Sequence, residues 1–141
     1  MTAMSDEALD AFLRETRIAK LATLNRDGSP TIVPVWFEWD GKTAALFTQY
    51  QTPKIGRIRR DNRVALSVEE PLGALEAWVT IEGTAAIEEH GGIELARRLI
   101  VRYYTQERVD KVLPSWEKMA VEWRVVRITP TRIRSSAPGT S

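Results

Sequence analysis

The stretch RIAKLATLNRDGSPTIVPVWFEWDGKTAALFTQY, residues 17–50, decides the fold. Residues 17–24 read as a strand. Asn25-Arg26-Asp27-Gly28-Ser29-Pro30 reads as a turn, because an Asp-Gly step tolerates the left-handed backbone of a tight reversal. Residues 31–39 are β-branched and aromatic and predict a second strand. Asp40-Gly41 is a second reversal, and 42–50 a third strand. Pro34 removes a backbone donor inside the second strand, which fits an edge, a bulge or an open place in the ladder.

Working outward, residues 5–16 predict a short helix with Ser5 as N-cap and Asp6 and Glu7 at the positive end of its dipole. Thr52-Pro53 starts another helix, running to Arg60 or Asp61. Strands follow over 63–69 and 77–87, with Gly83 as a bulge, and Gly91-Gly92 precedes a helix over 93–106. Residues 109–118 read as irregular or one helical turn, 121–128 as a sixth strand and 131–134 as a candidate seventh. The expected fold is mainly β with flanking helices: six to seven antiparallel strands in one closed or partly closed barrel. Residues 1–134 form a single domain and 135–141 a flexible C-terminal tail. A barrel this small fills its interior with side chains, so a ligand belongs outside, in a groove or at a subunit interface.

Composition narrows the chemistry. In 141 residues there are 20 Lys and Arg against 19 Asp and Glu, a net charge of +1 that does not suit a dedicated nucleic-acid binder. No cysteine is present, which excludes disulfides, thiolate metal sites and a Cys nucleophile. His90 is the only histidine, so a two-His metal motif is impossible within one chain and no metal site is expected. An enzyme built on this sequence needs a bound cofactor for its chemistry. The first ten residues lack a signal-type apolar core and no run is long enough to span a bilayer, so the expected location is cytoplasmic.

The segment from Thr48 to Arg63 concentrates charge: Lys54, Arg57, Arg59, Arg60 and Arg63 stand against Asp61 alone. A cation in the first turn of a helix opposes the dipole. Helix N–H groups, a Thr hydroxyl and a Lys at one helix start make a phosphate site. A solvated basic helix face is the other reading. The Val33-Pro34-Val35-Trp36 run is a second candidate, facing a ligand or serving as a barrel strand with an edge proline. Trp36 and Trp78 would stack on a planar ring or pack in a core or interface. His90 falls in a polar loop, and Glu69-Glu70 and Glu88-Glu89 point to opposite faces, which makes poor acid–base pairs. Trp116, Lys118 and the basic residues from Arg124 to Arg134 are late additions to the same groove or plain surface.

Taken in order, four segments resemble the pyridoxamine 5'-phosphate oxidase-like split-barrel flavoproteins, and within them the branch of F420-dependent reductases. They are residues 18–24 with Asp27-Gly28-Ser29-Pro30, then 33–37, then Thr52-Pro53-Lys54 with 57–66, and finally 78–85. The resemblance implies an FMN-binding split barrel and a homodimer with the cofactor at the subunit interface. It implies that Lys54 holds the cofactor phosphate with Thr48 and Thr52, and that Arg60 is a weaker phosphate or tail ligand. Val33, Pro34, Val35 and Trp36 would lie along the tricyclic ring, with Trp78 flanking the pocket. Thr-Pro-Lys stands where the oxidases have Ser-Arg-Lys, so one phosphate-binding Arg is absent. The expected function is hydride transfer between a reduced deazaflavin, coenzyme F420, and a small conjugated or heteroaromatic substrate. The alternatives are an FMN-binding oxidoreductase on the same fold, a non-catalytic flavin- or haem-binding protein, and a nucleic-acid module on the basic helix. No catalytic residue is assigned.

Overall fold

The computed structural model describes residues 1–139. The elements are α1 (Asp6–Arg14), β1 (Ala19–Leu24), β2 (Pro30–Val35), β3 (Glu38–Trp39), β4 (Ala44–Gln49), α2 (Pro53–Arg60), β5 (Arg63–Glu69), β6 (Trp78–Glu88), α3 (Gly92–Tyr103), α4 (Gln106–Lys118) and β7 (Trp123–Ser136). Ser5 caps α1 as expected, its hydroxyl accepting the Ala8 N–H.

All seven strands join one antiparallel sheet in the order β2-β1-β5-β6-β7-β4-β3. The two edge strands, β2 and β3, are consecutive in sequence, with only Trp36 and Phe37 between them. Three Cα steps reach at most about 11 Å, whereas seven flat strands are roughly 29 Å across. The sheet therefore curls until its edges nearly meet, and the seam between β2 and β3 splits the barrel. The expected second strand over 31–39 is thus two strands on opposite edges, and Pro34 lies on an edge strand.

Alternation sorts the side chains. Val35, Ala19, Val68 and Val79 form one row across four strands, and Leu21, Leu66 and Ile81 a neighbouring row; all point inward and are buried. Phe37, Leu46, Val126 and Ile128 complete this core, and α2 adds Ile55 and Ile58. On the other side of β4 and β7, α3 packs Leu95 and Leu99 against Ala45 and Val125. The outward rows on the other half of the sheet are Pro34–Lys20–Ser67–Thr80 and Ile32–Ala22–Ala65–Glu82. Among the described residues none of these eight joins a core, and Ile32 is 65% exposed.

Three further expectations are corrected. Residues 106–118 form a full helix, not an irregular segment. Pro114 argues against a helix there because it lacks a donor. The Thr105 cap, which accepts the Arg108 N–H at 3.3 Å, and burial of Val109 hold the helix regardless. The last two strands are one fourteen-residue strand, β7. Its register against β6 shifts between Glu82 and Gly83: Arg132 faces Glu82 while Pro130 faces Gly83. Thr131 is the extra residue, and Pro130 sits at the bulge, where a missing N–H costs least. Finally, Ser135 and Ser136 belong to β7, and Ala137 exchanges two 2.8 Å backbone hydrogen bonds with Thr2, so the expected tail is paired at its start. Its last two residues, Thr140 and Ser141, lie outside the described residues.

At the bulge the backbones of β6 and β7 approach so closely that a Cβ on Gly83 would stand 2.3 Å from the Thr129 carbonyl oxygen. Gly83→Ala is expected to destabilise the fold by about 1–3 kcal/mol, the range for overpacking a closed site. The midpoint of urea denaturation measures it, and an unchanged midpoint would refute the bulge.

Candidate functional site

The site begins where β4 hands the chain to α2. Thr52 occupies the N-cap position, but its hydroxyl does not cap the helix. It donates to the Gln49 carbonyl at 3.1 Å and lies 2.9 Å from the Thr48 hydroxyl. Pro53 fills the first helical position and no acid stands in the first turn. Into this electropositive start the sequence places Lys54, half-buried and, among the described residues, without a hydrogen-bond or ion-pair partner. Burial first, and the nearby Arg57 charge second, hold the Lys54 ammonium below the ordinary lysine pKa. An uncapped helix start with a partnerless cation lacks an anion.

The neighbouring cations behave differently. Arg57 turns back to the barrel, its Nε donating to the buried Thr23 hydroxyl at 2.7 Å, and so anchors α2 to β1. Arg63 pairs with Asp61 through bonds of 3.0 and 2.7 Å, and these pull the Asp61 carboxyl down to about 2. Arg59 and Arg60 are exposed.

Beside Lys54 opens a cleft of about 330 Å³. Pro34, Val35 and Trp36 form one side, and Phe47, Thr48 and Gln49 of β4 with Thr52 form the floor. Tyr104, Trp116 and Trp123 close the far side. Among the described residues no carboxylate lines it. The aromatic groups make a continuous wall. Trp36 lies 6.1 Å from Phe47 and 6.2 Å from Trp116, and Tyr104 meets the Trp36 ring edge-on at 4.8 Å. Phe47 stands 5.4 Å from Trp116 and 5.5 Å from Trp123. The Trp123 indole N–H donates to the Trp116 carbonyl at 3.0 Å, which fixes that corner. The arrangement suits a flat, conjugated ring that carries an anion at one end.

Of the residues singled out from sequence, Pro34, Val35, Trp36, Thr48, Thr52 and Lys54 meet in this cleft. Val33 shares the inward face of β2 with Val35, but it packs against the barrel core and does not border the cleft. Arg60 lies on the exposed side of α2, and Trp78 stands at the start of β6 opposite Glu69 and Ser136, so neither lines the cleft within one chain. His90 borders a separate hollow at the start of α3. Sequence reasoning passed over Phe47, Gln49, Tyr104 and Trp123. Phe47 and Gln49 flank Thr48 on a strand that ends just before Lys54, which was a usable signal. Tyr104 and Trp123 carried none, since only tertiary packing brings them to β2.

Known proteins resemble this chain over most of its length. The family model described as pyridoxamine 5'-phosphate oxidase matches residues 5–137. An F420H(2)-dependent biliverdin reductase of Mycobacterium tuberculosis (strain CDC 1551 / Oshkosh) is 33% identical over 129 residues, covering 90% of this chain and 88% of the relative. Among solved structures, a conserved hypothetical protein of Mycobacterium tuberculosis superposes with a TM-score of 0.78 at 28% identity, over 98% of this chain and 91% of that one. A structure described as F420 reductase superposes at 0.70 with 23% identity, over 88% and 94% of the two chains, and shares the fold.

Lys54 has a stability signature that separates a binding group from a structural one. Its folded pKa lies below the ordinary value of 10.5, so its proton is held less well in the fold than in the unfolded chain. The protonated lysine therefore costs stability at neutral pH, and the cost fades as pH climbs through the folded pKa towards 10.5. Lys54→Met is expected to stabilise the ligand-free protein at pH 7 by about 0.3–1 kcal/mol, with the gain shrinking at high pH. Denaturation curves at several pH values check this, and destabilisation at pH 7 would mean that Lys54 has a structural partner.

Proposed function

Because the chain belongs to the pyridoxamine 5'-phosphate oxidase family, we propose that it is an F420-dependent reductase acting on a small conjugated or heteroaromatic substrate. The observation that carries this reading is the partnerless Lys54 at an uncapped helix start, set beside a wall of aromatic rings with no carboxylate in the cleft. Lys54 would hold the cofactor phosphate, with the Thr48 and Thr52 hydroxyls beside it. Pro34, Val35 and Trp36 would run along the ring, and Trp116 and Trp123 would exclude water from its far side. When bound, a reduced deazaflavin supplies a hydride. The chain's part is to hold donor and acceptor close and to stabilise developing charge with backbone N–H groups of the open β2 edge. The completing proton would come from solvent or from a hydroxyl lining the cleft.

FMN binding is the second reading, since FMN also presents a phosphate and a tricyclic ring. Two observations favour F420. Arg59 and Arg60 stay exposed beyond Lys54, where an anionic tail longer than one phosphate would run. The biliverdin reductase that shares 33% of the sequence is named for F420H(2). A homodimer completes the site. The uncovered outer face of β2-β1-β5-β6 carries Ile32 and Ile18, and it adjoins the cleft through Pro34. A second copy on that face would cover the cleft's open side and bring Trp78 near it.

Titrating the purified protein with F420 and with FMN tests the proposal. F420 is expected to bind, and F420H2 to be consumed when a conjugated acceptor is added. Lys54→Ala is expected to cost about 1–3 kcal/mol of cofactor affinity, the scale of a charge-assisted hydrogen bond. Tight FMN binding with no measurable deazaflavin binding would overturn the F420 assignment. His90→Ala is expected to leave binding unchanged, and its loss would mean that the cofactor site is misplaced.

A further inference from the structure

One side chain of α3 holds the link between the two edge strands to the start of β1. Tyr103, in the last turn of α3, donates its hydroxyl proton to the Arg17 carbonyl at 2.6 Å. The phenol oxygen in turn accepts the Phe37 N–H at 3.5 Å. Arg17 precedes β1 and Phe37 precedes β3, so one phenol ties the start of β1 to the link between the two edge strands. The Tyr103 ring lies flat on the Trp36 indole, centroids 4.8 Å apart and planes within 5°. Trp36 is the residue between the edge strand and Phe37, and its neighbours across the cleft are Phe47 and Trp116. The other end of α3 is fixed as tightly, since a Cβ on Gly92 would lie 2.4 Å from the Trp123 carbonyl carbon. Twelve helical residues thus hold Trp123 at one end and Trp36 at the other.

We propose that Tyr103 is a positioning residue for the cleft: it sets the plane of the Trp36 indole, so that the aromatic wall is preformed for a flat ring, while leaving the anion end at Lys54 untouched. The proposal rests on the reading that the cleft takes a ring-bearing phosphate. Packing alone would place a bulky residue here. Both hydrogen bonds of the phenol, together with the near-parallel stack, fix an orientation as well as a volume. Tyr103 does not line the cleft itself; it borders the groove behind Trp36, with Arg17 and Ile18. Its influence on a bound ring therefore passes through the indole. Burial pushes the Tyr103 hydroxyl pKa up, which favours the protonated, donating phenol.

The test separates ring from phosphate. Affinities for F420, FMN and inorganic phosphate are measured for the wild type, Tyr103→Phe and Tyr103→Leu, with far-UV circular dichroism confirming the fold. Tyr103→Leu, which removes the stack, is expected to weaken the ring-bearing ligands by about tenfold and to shift the absorption of the bound chromophore. Tyr103→Phe, which keeps the stack and loses the bridge, is expected to cost about threefold. Inorganic phosphate affinity is expected to stay at the wild-type value in both. Wild-type affinity for the rings in both variants overturns the proposal, as does a loss that falls equally on phosphate. If Tyr103→Leu fails to fold, Tyr103→Phe decides: wild-type affinity with an unshifted spectrum overturns it. A wild type that binds inorganic phosphate but neither F420 nor FMN overturns the ring reading of the cleft, and this proposal with it.

Discussion

Two residues, Trp36 and Phe37, join the opposite edges of a seven-stranded sheet. That covalent tether forces the curl, and the rest of the molecule follows from it. Once the edges are drawn together, the inward rows of Val, Leu and Ile face one another and form the buried core. Phe37 falls inside and Trp36 outside. The edges do not pair along their length, so the seam leaves backbone and aromatic surface open beside β2. An edge proline is tolerated there because no neighbouring strand asks for its missing donor.

The cleft is a local exception to an otherwise well-compensated chain. Around the sheet the basic groups find acids: Arg127 pairs with Glu88 at 2.8 Å, Arg98 with Glu38 at 2.8 Å, and Arg17 with Glu70. At the start of α2 the rule is broken twice, by a threonine that turns its hydroxyl away from the helix and by a lysine that opposes the dipole with no partner among the described residues. Local breaches of this kind concentrate where a ligand supplies the missing interaction. The net charge of +1 conceals it, because acids elsewhere offset the cluster in the total but do not reach it in space.

Two helices outside the barrel give the cleft its far wall. Helix α3 packs on β4 and β7 and touches both Trp123 and Trp36, while α4 brings Trp116 against Phe47. The wall is assembled from five separate stretches of chain: the β2–β3 link, β4, the junction of α3 with α4, α4 itself and the start of β7. Its rigidity comes from ring-on-ring contact and from a few backbone-directed hydrogen bonds, such as the Trp123 N–H to the Trp116 carbonyl.

The sequence by itself determined what is local. Turn residues at Asp27-Gly28 and Asp40-Gly41, the Ser5 cap, the helix start at Thr52-Pro53 and the alternation of the strands are all short-range features, and each was legible. So was the charge cluster around Lys54, since a helix start and its first-turn lysine are sequence neighbours. The helix over 106–118 was missed because Pro114 argues locally against it, while the burial that overrides Pro114 is tertiary. The single long β7 was missed because a bulge in one strand is defined only by its partner. Only the tertiary structure decided that β2 and β3 lie on opposite edges, that Arg57 turns inward to Thr23, and that Tyr104, Trp116 and Trp123 gather at Trp36. The physical reason is the same in each case. Period and propensity act over a few residues, whereas sheet order, curl and side-chain partners are set by long-range burial and backbone pairing between segments tens of residues apart.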